Sequence, residues 1–224
     1  MKLRTVAIII ALIIIFDQAI KIWIKTTYPV GLITKVMGFK WFELFFIEND
    51  GMAWGWKFGG EWGKMALTLF RLAAVIFGTW YLGRIVKQKY HRGFIVCAAL
   101  IYAGALGNLI DSMFYGLIFS SSDYPAIASM FPKEGGYAGF LHGKVVDMLH
   151  FPLFHGTFPG WFPVWGGDTF EFFSPIFNIA DASISTGVIT LLVFQKRFFK
   201  KHHTNENHPT VETSTKVNDE MQVL

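Results

Sequence analysis

GFIVCAALIYAGALGNLIDSMFYGLIF, residues 93–119, decides the fold. An α-helix needs about 20 mostly apolar residues to cross the hydrocarbon core of a bilayer, and this run exceeds that length. It also carries Asn108 and Asp111, which a purely structural span would omit. Three other stretches read the same way. About 5–24 contains Asp17, Gln18 and Lys21, about 64–82 contains Arg71, and about 174–194 contains Asn178 and Asp181. The expected fold class is an all-α membrane protein with four transmembrane helices. A small extracytoplasmic β-cradle over about 38–60 and aromatic outer insertions over about 117–173 complete it.

Composition agrees. Only 16% of the 224 residues are charged, against roughly 25% in soluble domains. Mean hydropathy is +0.40. So few charges could not cover the surface of a soluble enzyme. The single cysteine, Cys97, excludes an intrachain disulfide scaffold. Met1-Lys2-Leu3-Arg4 resembles the start of a secretory signal, but no small-x-small cleavage site follows. The first span is therefore read as uncleaved. Placing both termini in the cytoplasm puts Lys2, Arg4, Arg84, Lys87, Lys89, Arg92, Lys196, Arg197, Lys200 and Lys201 inside, as the positive-inside rule favours. Residues 1–200 form the expected membrane domain, and 201–224 a disordered cytoplasmic tail.

At about 1.5 Å rise per residue, every strongly polar group falls in the outer half of the membrane. Asp17 and Lys21 are spaced i,i+4 and can pair on one face. Asn108-x-x-Asp111 and Asn178-x-x-Asp181 each put an amide and a carboxylate one helical turn apart. Gly104 and Gly107, like Ala180 and Ala182, permit close helix approach. Arg71 either snorkels outward or neutralises a carboxylate. Val145-Val146-Asp147 ends a short β-branched run on the outer side. Ionisable residues inside a membrane are costly and mark function.

Two carboxylates held close share one proton, and such a pair can activate water without a metal. Spacing leaves either Asp111 or Asp147 as the partner of Asp181. Competing chemistries are poorly supplied. There is no Gly-x-Ser-x-Gly, His-Glu-x-x-His, Cys-x-x-Cys or phosphate-binding loop. His142, His150 and His155 read as interfacial residues, so no metal and no cofactor are expected. The pI near 9.1 reflects the cytoplasmic flanks, and no nucleic acid is expected to bind. The rival class is a proton- or ion-coupled transporter, which would need a polar route through both leaflets.

The blocks Asp17-Gln18-Ala19-Ile20-Lys21, Glu48-Asn49-Asp50-Gly51-Met52-Ala53-Trp54, Gly104 to Asp111, Val145-Val146-Asp147 and Phe177 to Asp181 stand in a characteristic order. With these, the chain resembles the bacterial lipoprotein signal peptidase (signal peptidase II) family. The resemblance implies an intramembrane aspartic endopeptidase acting on prolipoproteins. It would remove the signal peptide just before a cysteine that carries diacylglycerol, with membrane lipids as its other partners. It implies Asp147 and Asp181 as the catalytic pair, and it is this that decides against Asp111. Asn49, Gly51, Gly104, Asn108, Asp111, Asn178 and Ala180 would bind substrate or support the site, with Asp17 and Lys21 as a structural pair. The chain is expected to act as a monomer in the bacterial inner membrane, its active site towards the outer face. One departure concerns position 112, where the family usually has Arg and this chain has Ser112. Lys144 or Arg71 would then supply the missing cation. The long outer insertions are either a flap over the site or a passive interfacial belt.

Overall fold

The computed structural model describes residues 1–50, 60–172 and 175–199. Gly51 and the tail 201–224 lie outside the described residues. In chain order the elements are α1 (Leu3–Thr27), β1 (Ile33–Lys35), β2 (Glu43–Asn49), α2 (Gly60–Lys87) and α3 (Arg92–Ile110). A π-helical turn, Asp111–Tyr115, leads from α3 into the short α4 (Gly116–Ile118). Then come β3 (Val145–His150), β4 (Phe154–Thr157), β5 (Thr169–Phe172), β6 (Ile176–Phe177) and α5 (Ile179–Phe198).

Leu3–Thr27, Trp62–Lys87, Arg92–Ile118 and Ile179–Phe198 are each long and apolar enough to cross a membrane. β-branched residues crowd α1, yet in hydrocarbon only a helix satisfies every backbone group within one segment. Leu12, Ile15 and Phe16 on α1, and Phe70, Ile76 and Phe77 on α2, are exposed as lipid-facing residues should be. α3 is the most buried span.

Gly104 shows why α3 and α5 can touch. A Cβ there would lie 2.2 Å from the Ala180 carbonyl oxygen. At Gly107 it would meet Asp17 Oδ2 at 3.0 Å and Ala180 Cβ at 3.2 Å. Gly104→Ala must therefore move α3 away from the start of α5. We expect a loss of about 1–3 kcal/mol from overpacking. Detergent melting should fall and peptide cleavage should slow at least tenfold; unchanged values would show that the helices tolerate separation.

The cradle is a four-stranded antiparallel sheet in the order β1-β2-β3-β6. It starts earlier than expected, at Ile33, and half of its strands come from after α3. Its buried face joins Phe46, Val146 and Met148 to Ile24, Tyr115 and Phe119. A separate hairpin, β4–β5, stacks Phe154 on Phe172 with ring centroids 4.5 Å apart.

The segment before β3 is laced onto the outer end of α3 and α4. Gly143 N–H donates to the Ser112 carbonyl at 2.9 Å, Leu141 N–H to Met113 at 3.2 Å, and Ala138 N–H to Gly116 at 3.0 Å. A π turn disturbs the regular helical ladder, and these amides reach carbonyls of that turn and the one after it. Gly143 is required for this approach, because a Cβ would stand 2.0 Å from the Asp111 carbonyl oxygen.

The fourth span begins later than the expected residue 174. Residues 176–177 pair with β3, and α5 starts only after Asn178. Asn178 is the N-cap, and Asp181, the third residue of the helix, closes a capping box with it. The amide and carboxylate of Asn178-x-x-Asp181 thus sit at a helix mouth, rather than one turn apart within a helix.

Candidate active site

Lys21 is fully buried, and an ammonium needs three acceptors. It finds Asp17 Oδ2 at 2.8 Å, Asp111 Oδ2 at 2.8 Å and Asn108 Oδ1 at 3.0 Å. The expected Asp17–Lys21 pair is therefore one side of a triad. Gln18 Nε2 donates to Asp111 Oδ1 at 2.8 Å and to Asp17 Oδ2 at 3.1 Å, and Tyr115 Oη donates to Gln18 Oε1 at 3.1 Å. Asp17 Oδ1 accepts the Ala180 N–H at 2.9 Å, and Asp111 Oδ2 accepts the Val146 N–H at 3.3 Å. The triad thereby fixes the start of α5 and the middle of β3 against α1 and α3. Every oxygen of Asp111 is occupied by this work.

Asp147 and Asp181 meet above it through two asparagines. Asn178 Nδ2 donates to Asp147 Oδ1 at 2.7 Å and to Asn108 Oδ1 at 3.1 Å. Asn178 Oδ1 accepts the Asp181 N–H at 2.9 Å. Asn108 Nδ2 donates to Asp181 Oδ1 at 2.7 Å. Asp181 lies in the first turn of α5, as the N3 member of the capping box. Asn49 completes the set from β2. In the antiparallel register Ile47 faces Asp147 and Asn49 faces Val145, so Asn49 and Asp147 share one face of the sheet. Asn49 Nδ2 reaches Asp147 Oδ2 at 3.2 Å. A bulge between Leu44 and Ile47 sets that register.

Asp147 is not the exposed surface acid that a short β-branched strand would give; it is only 2% exposed. Burial first, and the neighbouring Asp181 charge second, push its carboxyl up to about 7. Asn49 and Asn178 oppose that shift by donating to the ionised form.

A second ionic cluster stands beside the first, and little in the residue pattern announces it. Lys25, fully buried at the end of α1, pairs with Glu48 on β2. Ser122 joins both, accepting from Lys25 at 2.7 Å and donating to Glu48 Oε1 at 2.8 Å. Lys144 Nζ lies 3.3 Å from Glu48 Oε2. Although burial raises the Glu48 carboxyl, its lysines and Ser122 outweigh that and hold it below the usual range. The one available signal was a lysine one turn beyond Lys21 in an apolar helix. Lys144 is thus committed to Glu48, whereas Arg71 Nη1 donates to Ser112 Oγ at 3.0 Å. Of the two cations offered for position 112, Arg71 is the one that arrives there.

His150 is buried and faces Glu43 at 3.2 Å, and His142 Nδ1 lies 2.9 Å from the Phe140 carbonyl oxygen. Among the described residues no group of three His, Cys, Asp or Glu could hold a metal. Cys97 is buried and free. The two clusters, the two asparagines and the paired carboxylates together describe a membrane-embedded hydrolytic site rather than a transport route.

Known proteins give the same class. The family described as signal peptidase (SPase) II matches residues 9–197. The lipoprotein signal peptidase of Porphyromonas gingivalis is 48% identical over 195 residues, covering 87% of this chain and 84% of its own. That of Amoebophilus asiaticus is 35% identical, covering 83% of this chain and 75% of its own. Two bacterial membrane enzymes solved by the in meso method share the fold. One, at 2.3 Å resolution, gives a TM-score of 0.57 at 24% identity over 89% of this chain and 93% of its own. The other, at 1.9 Å, gives 0.55 at 26% identity over 86% and 93%.

The chain belongs to the signal peptidase II family, and it is a multi-pass inner-membrane aspartic peptidase. The transporter alternative is not favoured.

Proposed function

We propose that this peptidase removes signal peptides from diacylglyceryl-modified prolipoproteins, cutting before the lipidated cysteine, with Asp147 and Asp181 as the catalytic pair. One observation carries the assignment: Asn178 holds Asp147 through its amide and the Asp181 backbone through its carbonyl. Asp111, the other candidate, is 0% exposed and is salt-bridged at 2.8 Å to the buried Lys21, which commits it to the structural triad. Asn49, Asn108, Asn178, Gly104, Ala180 and Asp111 support the pair, and Gly51 follows Asn49 in the same motif.

The pair carries one proton near neutral pH. Its ionised member takes a proton from a water molecule, whose oxygen attacks the scissile carbonyl carbon. The protonated member hydrogen-bonds the carbonyl oxygen, and a proton passes to the cysteine nitrogen as the C–N bond breaks. The asparagine amides hold the two carboxylates in place, which is catalysis by positioning. The signal peptide lies among the spans, the lipid tails stay in the outer leaflet, and both termini are cytoplasmic. All these residues come from one chain, consistent with a monomer.

The pH profile follows from Asp147. Its carboxyl is protonated below about 7 and ionised above. Past that value Asp147 no longer supplies the proton that the pair shares. We expect kcat/KM to fall about tenfold per pH unit on the alkaline side, with a limb near 7. A flat profile to pH 9 would contradict the shared proton. The substrate is tested with the purified protein in bilayers and a synthetic precursor. Cleavage should require the diacylglyceryl group, and equal rates without it would sink the assignment of substrate.

A further inference from the structure

Arg71 interrupts an apolar helix, and its guanidinium is spent on the interior. Nη1 donates to Ser112 Oγ at 3.0 Å, and Ser112 Oγ donates to the Asn108 carbonyl at 2.9 Å. The Asn108 side-chain amide then donates to Asp181 Oδ1 at 2.7 Å. A hydrogen-bonded chain thus runs from α2 across α3 to the mouth of α5. Arg71 also exerts its charge on Asp181, Asp111 and Asp147. The nearby lysines are committed elsewhere. Lys21 is held by Asp17 and Asp111, Lys25 and Lys144 by Glu48, and Lys64 by Asp50 at 3.0 Å.

We infer that Arg71 is a positioning residue, which sets the proton affinity of the Asp147–Asp181 pair by its charge and orients Asn108 through Ser112. The inference rests on the reading of those two acids as the catalytic pair. Among the described residues, the charged or titratable groups gathered around the pair are Asp17 and Lys21 from α1, Arg71 from α2, and Asp111 and Tyr115 from the π turn. Glu48 lies on the opposite face of β2, tied to Lys25. Arg71 brings the charge of α2 to this set through its bond to Ser112. With it in place, one acid of the pair ionises more readily at neutral pH. Without it, the remaining negative charges raise the proton affinity of Asp147.

The test is the pH dependence of kcat and kcat/KM for cleavage of a diacylglyceryl precursor by the full-length protein in bilayers. Arg71→Gln should move the whole profile to higher pH by about one unit, the size of a nearby opposite charge, and lower kcat about tenfold. Arg71→Lys should keep the profile in place while lowering kcat, since charge survives but the forked donor does not. Ser112→Ala should also lower kcat with the limbs unmoved. Adding Ser112→Arg to Arg71→Gln should return the profile towards wild type by carrying the charge on the π turn instead. An Arg71→Gln profile that overlays the wild type would overturn the charge role, as would a shifted profile for Arg71→Lys. A wild-type rate in Ser112→Ala would overturn the chain to Asn108. If Arg71→Gln does not fold, the other two single variants still decide. Asp147→Asn and Asp181→Asn run alongside: normal cleavage by either removes the catalytic pair itself, whatever Arg71 does.

Discussion

Asp147→Asn and Asp181→Asn each reduce precursor cleavage by about 10³-fold or more while leaving a folded protein in the membrane. The size follows from members of one chemical unit, where losing either removes nearly all catalysis. An amide can neither take a proton from water nor give one to a carbonyl oxygen in the same cycle. The fold should survive for separate reasons at the two positions. Asp147 has its carboxyl pushed up to about 7, so its burial does not depend on a full negative charge. Asp181 occupies a capping box whose other half, the Asn178 side chain accepting from the Asp181 N–H, remains in the variant. Quantitative gel analysis of precursor and product, with size-exclusion profiles in detergent, checks both halves. Asp111→Asn makes the contrast, since its damage should appear in stability as well as rate.

The second large effect is structural. Lys21→Met should lose about 3–5 kcal/mol, the cost of leaving buried charges without their partner. Asp17 and Asp111 are 1% and 0% exposed, and Lys21 is the cation between them. Met fills similar volume, so the loss reports charge and not packing. Neutralising the acids together with the lysine, as Asp17→Asn, Lys21→Met and Asp111→Asn in one chain, should recover much of the melting temperature. Failure of the triple variant to recover would mean that the directional bonds to the Ala180 and Val146 amides matter more than the charges. Thermal unfolding in detergent distinguishes the two.

Much of this architecture is legible from local pattern. Four apolar runs announce four spans, and the polar groups collect in one layer because alternating spans must bring them there. Asp17 and Lys21 declare themselves by an i,i+4 spacing. Gly104 and Gly107 mark the close approach of α3 and α5. The third member of the triad, Asp111, is far from Lys21 in sequence, and no spacing rule ties the two. The same holds for Asn49 and Asp147, which meet through strand register fixed by a bulge.

The two Asn-x-x-Asp motifs look alike but differ physically. One lies in α3 where the helix enters a π turn, and the other caps α5. A period count cannot separate a helical face from a helix mouth. The outer segment before β3 reads as either flap or belt, because its backbone bonds to the π turn and α4 join residues of no obvious pairing preference.

Single-turnover cleavage of a diacylglyceryl precursor by the purified protein in bilayers, read by mass spectrometry, bears most directly on the central claim. Wild-type protein should release a product whose first residue is the lipidated cysteine, with Asp147→Asn and Asp181→Asn returning intact precursor. Cleavage at another bond, or the same product from either variant, would contradict it.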